Sequence, residues 1–245
     1  MSRSDRKSQY TKALMELREL VLHGELEPGE RVSEIGMSQR IGISRTPLRE
    51  AMSRLIEEGL LERHPSGGCR VRSFSLSDIL DAIELRGLIE GMAVRIAAQR
   101  GADPAALQAC GEVLDQVDLA LGAGEHEIDF ELYADLNIQF HAMLAQLCNS
   151  PTIIREVERA ARMPLASPSA FLKGQTALAP VRRSLFVAQA QHRAMIEAIA
   201  RREGTRAEAL AREHARLAAS NLSHVLRQRA ALAEEIPGIA LLAGG

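Results

Sequence analysis

From Ser75 to about residue 233 the chain carries apolar residues at helical spacing, with short breaks rich in Gly, Pro, Asp and Asn. This pattern constrains the fold most, because a 3.6-residue period cannot line one face of a strand. Ile79, Ile83, Met92 and Ile96, with Leu80, Leu88 and Ile89, mark one apolar stripe. Asp103 and Pro104 open a second helix that runs to about residue 121. A third covers residues 130–147 and stops at Asn149-Ser-Pro151. A fourth starts near Thr152, and Pro164 and Pro168 kink or end it. A fifth spans residues 183–202, and Gly204-Thr205 separates it from a sixth reaching about residue 233. Six such helices imply an antiparallel bundle. Composition agrees: aromatics are 3% and Trp is absent, which argues against a β-sandwich or barrel. Residues 234–245 are apolar but Gly-rich and read as a loose tail.

The front of the chain reads differently, as three helices and a hairpin. Residues 10–23 place Leu14, Leu17 and Val21 at helical spacing, and Gly24-Glu-Leu-Glu-Pro-Gly29 breaks that helix. Ser33 is an N-cap candidate for a short helix that ends at Gly42. Ser44 begins the next, with Pro47 in its first turn and Gly59 beyond its end. Residues 60–64 and 69–71 are extended candidates around the turn Pro65-Ser-Gly-Gly68. The fold expected is therefore mostly α. A winged helix-turn-helix of three helices and a small β-hairpin occupies residues 1–74. The all-α bundle of about six helices occupies residues 75–233, and the tail follows.

Charge follows the same division. Residues 1–73 hold 13 Lys+Arg against 11 Asp+Glu, and the remainder 17 against 21. The basic residues are enriched at the front, as in a nucleic-acid-facing module joined to an acidic one. No apolar run approaches the roughly 18 residues that span a bilayer. The N-terminus lacks an apolar signal core, and three distant cysteines suit a reducing cytoplasm.

Residues 34–53 have helix-turn-helix spacing. Ser38 is small where two helices meet, Gly42 sits at the turn, and Ile35, Ile41, Ile43, Leu48 and Leu55 are expected to fill the interhelical core. The second helix opens Ser44-Arg-Thr-Pro-Leu-Arg49, so Arg45 and Arg49 lie one turn apart. A recognition helix presents its N-terminal residues to the major groove, where Arg bonds guanine O6 and N7.

In the last half, His141, His192 and His214 fall on apolar helix faces, and Asn137 lies one turn before His141. Asn137 Oδ1 and His141 could therefore bind one ion, and imidazole suits zinc, nickel and related divalent metals. A histidine on such a face is also an ordinary hydrogen-bonded core residue, so spacing alone leaves a shared site open.

Glu27-Pro-Gly-Glu-Arg-Val32, Arg40-Ile-Gly-Ile-Ser-Arg-Thr-Pro-Leu-Arg-Glu-Ala51 and Leu55-Ile-Glu-Glu-Gly-Leu-Leu61 resemble the GntR superfamily of bacterial transcriptional regulators. The resemblance implies a homodimer bound to operator DNA. Arg45, Thr46 and Arg49 would contact DNA, Ser44 and Arg40 would support backbone contacts, and Gly67 would lie at the wing tip. Leu85-Arg-Gly-Leu-Ile-Glu-Gly-Met-Ala93, Leu136-Asn-Ile-Gln-Phe-His-Ala-Met-Leu144, Gln191-His192 and Glu213-His214 resemble the FCD ligand-binding domain of the FadR-type branch. Six helices suit its VanR-like group. By matching position, Asn137, His141, His192 and His214 would hold a divalent ion, zinc or nickel. Three imidazoles and an amide leave the ion's charge uncompensated, which points to a small anionic metabolite, a carboxylate, as effector. Arg86 is a candidate fork for that anion, or a salt-bridge residue. Ser167 and Ser169 are candidates to line the pocket, or to make a helix-to-helix corner.

The function expected is a cytoplasmic, metabolite-responsive regulator, a repressor, and not an enzyme. Two rivals stand beside it. One is a regulator whose histidines bind effector without metal. The other is a helical metalloenzyme, against which no acidic residue stands out as a base beside the ligands.

Overall fold

The computed structural model describes residues 3–22, 24–65, 67–161 and 178–227. They form two compact units that part between Asp78 and Ile79.

In the front unit, α1 (Arg3–Leu22) buries Ala13, Leu17 and Val21, one residue per turn. Ser33 caps α2 (Glu34–Ile41) as the sequence predicts, its Oγ accepting from Gly36 N–H at 3.0 Å. Gly42 ends that helix at φ 66°, a left-handed conformation that costs glycine little. Its N–H donates to the Ser38 carbonyl, while the Ser38 hydroxyl donates to the Ile43 carbonyl at 2.7 Å. The turn is thus held from both sides, and it aims α3 (Arg45–Glu57). That helix buries Leu48, Ala51, Met52 and Leu55. One core expectation fails: Ile35 is 60% exposed and Met37 is buried. The two side chains are about 200° apart around the helix, so the face that buries Met37 turns Ile35 outward.

The hairpin gains a strand. β2 (Leu61–Arg63) pairs antiparallel with β3 (Cys69–Val71), placing Leu61 opposite Val71. β1 (Arg31–Val32) pairs along the other edge of β3, giving the order β1-β3-β2. Two residues show no alternation, so β1 leaves no periodic signal.

Among the described residues of the second unit the regular elements are all helices. Its helices are α4 (Leu76–Arg100), α5 (Pro104–Leu121), α6 (Phe130–Gln146), α7 (Pro151–Ala161), α8 (Ala179–Ala200) and α9 (Gly204–Arg227). Asp103 and Asp129 cap α5 and α6, accepting from Ala106 and Leu132 N–H. The core joins Val94 and Ala97 to Val117, Phe140, Met195 and Ile199. On α4 the buried face includes Ile79, Ile83, Arg86, Glu90 and Val94, while Leu88 and Met92 are exposed rather than part of the stripe predicted for them. Gly87 and Gly91 let α4 lie against α9. A Cβ on Gly87 would stand 2.7 Å from Ala215 Cβ, and one on Gly91 would stand 3.2 Å from the Glu208 carbonyl. That close approach brings the buried face of α4 to the functional centre. The stretch with Pro164, Pro168, Ser167 and Ser169, and the tail, lie outside the described residues.

Candidate functional sites: a recognition helix and a histidine centre

The first turn of α3 carries the predicted DNA-contacting residues, and all of them are exposed. Ser44 takes the N-cap position with extended backbone, but its side chain makes no capping bond. Thr46 faces solvent. Arg45 and Arg49 converge on Glu34, in the first turn of α2. Arg49 donates through Nε and Nη2 to the two Glu34 carboxylate oxygens at 2.7 and 2.8 Å, and Arg45 Nη2 donates at 3.4 Å. The hydrogen bonds from Arg49, helped by the charge of both arginines, hold the Glu34 carboxyl below its ordinary value. Arg40 donates to Glu25 at 2.6 Å. Gly67 has φ 91° and open space where a side chain would stand, and its carbonyl accepts from Arg31 Nη2. Sequence reasoning missed Glu34. Its signal was an acid in the first turn of the preceding helix, but the spacing of 11 and 15 residues to the arginines follows no single-helix period.

In the second unit, α6, α8 and α9 bring His141, His192 and His214 together, all buried. His192 Nε2 and His214 Nε2 are 3.2 Å apart, and His214 Nε2 and His141 Nε2 are 3.3 Å apart. Each Nδ1 faces an oxygen instead. His192 Nδ1 lies 3.3 Å from Gln189 Oε1, His214 Nδ1 3.2 Å from Gln191 Oε1, and His141 Nδ1 3.6 Å from Glu90 Oε1. A neutral imidazole has one N–H. With protons on the Nδ1 atoms, three bare Nε2 lone pairs point at one another, an arrangement that a bound cation would relieve. Donors about 2.0–2.1 Å from one zinc at tetrahedral angles stand about 3.3–3.4 Å apart. The donor set therefore fits a divalent ion. Oxygen partners at the outer nitrogens are what ligating histidines use to fix ring orientation. Burial, then the charge of neighbouring groups, lowers the His192 and His214 pKa values well below their ordinary range, keeping both rings neutral.

Asn137 is buried one turn before His141. It lines a cavity of about 40 Å³ with Arg86, Tyr133, Ser184, His214 and Asn221. Arg86 is also buried and donates to Glu90 at 3.3 Å, so part of the fork is a salt bridge, while Nε has no hydrogen-bond partner among the described residues. Burial pushes the Glu90 carboxyl up, but Arg86, then His141 and His214, pull it down to about 2. Glu90, Gln189 and Gln191 are the residues sequence reasoning missed here. Glu90 was detectable as an acid seven residues beyond Ile83 on the buried face, and Gln189 as the residue one turn before His192. The carboxylate expected to be lacking beside the histidines is thus present, but it is held ionised by Arg86.

Residues 9–71 match the family described as bacterial regulatory proteins, gntR family, and residues 81–217 match the FCD domain. The chain belongs to the FCD-containing branch of the gntR family. The Nta operon transcriptional regulator of Aminobacter aminovorans is 33% identical over 53% of this chain. That match spans only 59% of the Nta regulator's own length. The transcriptional repressor GlaR of Escherichia coli K12 is 29% identical over 79% of this chain and 86% of its own. Among solved structures, Lar, which controls expression of the Listeria monocytogenes agr system, has a TM-score of 0.60 over 89% of this chain and 96% of its own. At 20% identity that likeness is one of fold. The chain thus joins the DNA-binding domain of the gntR family to an FCD domain, and the relatives named above are transcriptional regulators. None of its described helices is long and apolar enough to cross a membrane.

Proposed function

We propose that the chain is a repressor whose hold on operator DNA is set by a small carboxylate bound in the bundle beside a divalent ion. The convergence of the three Nε2 atoms carries the reading, with an amide oxygen at hydrogen-bond distance from the Nδ1 of His192 and of His214 and the Glu90 carboxylate 3.6 Å from that of His141. The ligands are Asn137, His141, His192 and His214, and zinc or nickel fits them. Bound there, the ion supplies a Lewis-acidic positive centre for an anion. Arg86 and Glu90 cancel one another's charge, so neutral donors leave that centre uncompensated and favour a carboxylate. Arg86 Nε, beside the cavity, orients it. At the other end of the chain, Arg45, Thr46 and Arg49 read bases, Ser44 and Arg40 hold the backbone, and Gly67 lets the wing approach. Residues 1–74 act as the DNA-binding domain and residues 75–233 as the effector and dimerisation domain, in the cytoplasm. Effector binding shifts the population of dimer geometries, through residues 72–77, away from the one that fits two half-sites.

The α4 surface supports the dimer. Leu85, Leu88 and Met92 are exposed along one stripe of that helix. Asp81 and Arg95 lie seven residues to either side of Leu88, so an antiparallel second copy centred on Leu88 would set each Asp81 near an Arg95.

Calorimetry tests the centre: zinc first, then a panel of small mono- and dicarboxylates. Wild type is expected to bind zinc at neutral pH and a carboxylate only afterwards, while His192→Ala loses both and keeps operator binding. Asn137→Asp is expected to tighten zinc and weaken the carboxylate. Wild type that takes up no zinc or nickel overturns the metal, and Asn137→Asp that tightens both ligands overturns the charge argument.

A further inference from the structure

Gln189 is bound on three sides, and its surroundings allow only one orientation of its amide. It sits on α8, 5% exposed. Its Nε2 donates to the Leu114 carbonyl at 2.9 Å and to Asp118 Oδ1 at 2.7 Å, both on α5. Those two bonds use both amide hydrogens. Turning the amide over would set Oε1 against two acceptors and leave each of them without a donor. Arg193 helps to hold Asp118 in place: Nε donates to Oδ2 at 3.1 Å, and Nη2 binds Oδ2 and, at 2.7 Å, Asp115 Oδ1. The oxygen end of Gln189 therefore faces His192 Nδ1 at 3.3 Å.

An amide oxygen only accepts, so the His192 proton belongs on Nδ1 and its lone pair on Nε2, aimed at His214. We infer that Gln189 is a positioning residue for the bound ion: the Leu114 carbonyl and Asp118 orient its amide, and the amide fixes the His192 tautomer that can ligate. The inference rests on the metal reading for its purpose, but not for its tautomer. Gln191 is a useful contrast. It meets His214 Nδ1 through Oε1 at 3.2 Å but is only half-buried. Water can replace an acceptor there, whereas at Gln189 nothing but protein surrounds the bond.

The tautomer is readable without any ion. In the full chain freed of metal by chelation, long-range ¹⁵N–¹H NMR distinguishes an Nδ1–H ring from an Nε2–H ring. His192 is expected to be Nδ1–H, the form that free histidine side chains populate less. Gln189→Met keeps the volume and removes the acceptor. It is expected to move the His192 proton toward Nε2, where His214 Nε2 can accept it, and to weaken zinc and nickel binding about 10- to 100-fold. Gln191→Met is expected to cost less than Gln189→Met.

His192 found as Nε2–H in the metal-free wild type overturns the inference. So does a Gln189→Met protein that is folded by circular dichroism yet keeps both tautomer and affinity. If wild type shows Nδ1–H, and Gln189→Met loses it, but no zinc or nickel binds, the metal reading has failed and the tautomer lock stands.

Discussion

In the front unit Glu34 holds Arg49 and Arg45 at the surface, and in the bundle Glu90 holds Arg86 in the interior. The chemistry is the same and the surroundings are opposite. Arg49 is 62% exposed, whereas Arg86 is 1% exposed. At the surface water and salt screen the pair, so it contributes little to stability and exchanges partners readily. A phosphate or a guanine edge can take the place of Glu34. In the interior neither partner can be lost without leaving the other as a buried charge. On the proposed DNA-binding face the exposed pair is suited to be broken in function. The pair beside the histidines is suited to persist and to set the field around them.

The largest effect is expected where that field is cut. Arg86→Met leaves Glu90 buried and unpaired beside His141, and is expected to destabilise by about 3–5 kcal/mol in urea unfolding. A loss no larger than that of a surface substitution would mean that the interior pair behaves like the exposed one. Acidification comes next. The His192 and His214 pKa values are depressed in the fold, chiefly by burial, while an unfolded histidine protonates near pH 6.5. Below that pH the unfolded chain binds more protons, so the histidines' contribution is intact above about pH 6.5 and is lost progressively as pH falls. Glu90, whose folded value is about 2, adds its own loss only below its ordinary range, near pH 4.5. Urea midpoints of chelated protein are expected to match at pH 8 and 7 and to fall between pH 6.5 and 5. A flat profile over that interval would mean the rings are not buried as neutral species.

What the sequence made legible divides along the same line. Helix limits set by local chemistry could be read directly: Ser33, Gly42, Asp103 and Pro104 act within one turn of themselves. The three histidines were legible as apolar-face residues on separate helices, and the family resemblance joined them. The partners that give them their chemistry were not legible. Gln189 meets Asp118 across 71 residues of chain, and Arg193 meets Asp115 across 78. No periodicity reports which faces of α5 and α8 oppose each other. Ile35 shows the same limit at short range. Its apolar character marks it for a core, but the phase of α2 is set by Met37 and it stays outside. Leu88 and Met92 repeat the lesson on α4: both are apolar and both stand exposed.

At the DNA face the effects are smaller and fall on binding rather than folding. Arg49→Ala and Arg45→Ala are each expected to weaken specific operator binding about 10- to 100-fold, with unfolding midpoints unchanged. Wild-type binding by both variants would remove α3 as the reading helix.

The smallest change, and the sharpest test of the contrast, is Glu34→Gln. The thermal midpoint is expected to stay within about 2 °C, because only an exposed pair is lost. The two arginines keep their charge and lose the carboxylate that both restrains and neutralises them. Binding to DNA of unrelated sequence is therefore expected to tighten and to depend more steeply on salt, by about one further counterion. Specific binding gains the same charge but loses the orientation that Glu34 imposes through its two bonds to Arg49. The ratio of specific to non-specific affinity is accordingly expected to narrow. If the ratio is unchanged while both affinities rise together, Glu34 acts only as a charge. If neither affinity changes, the exposed pair is already broken in solution. In that case the recognition arginines are free before DNA arrives.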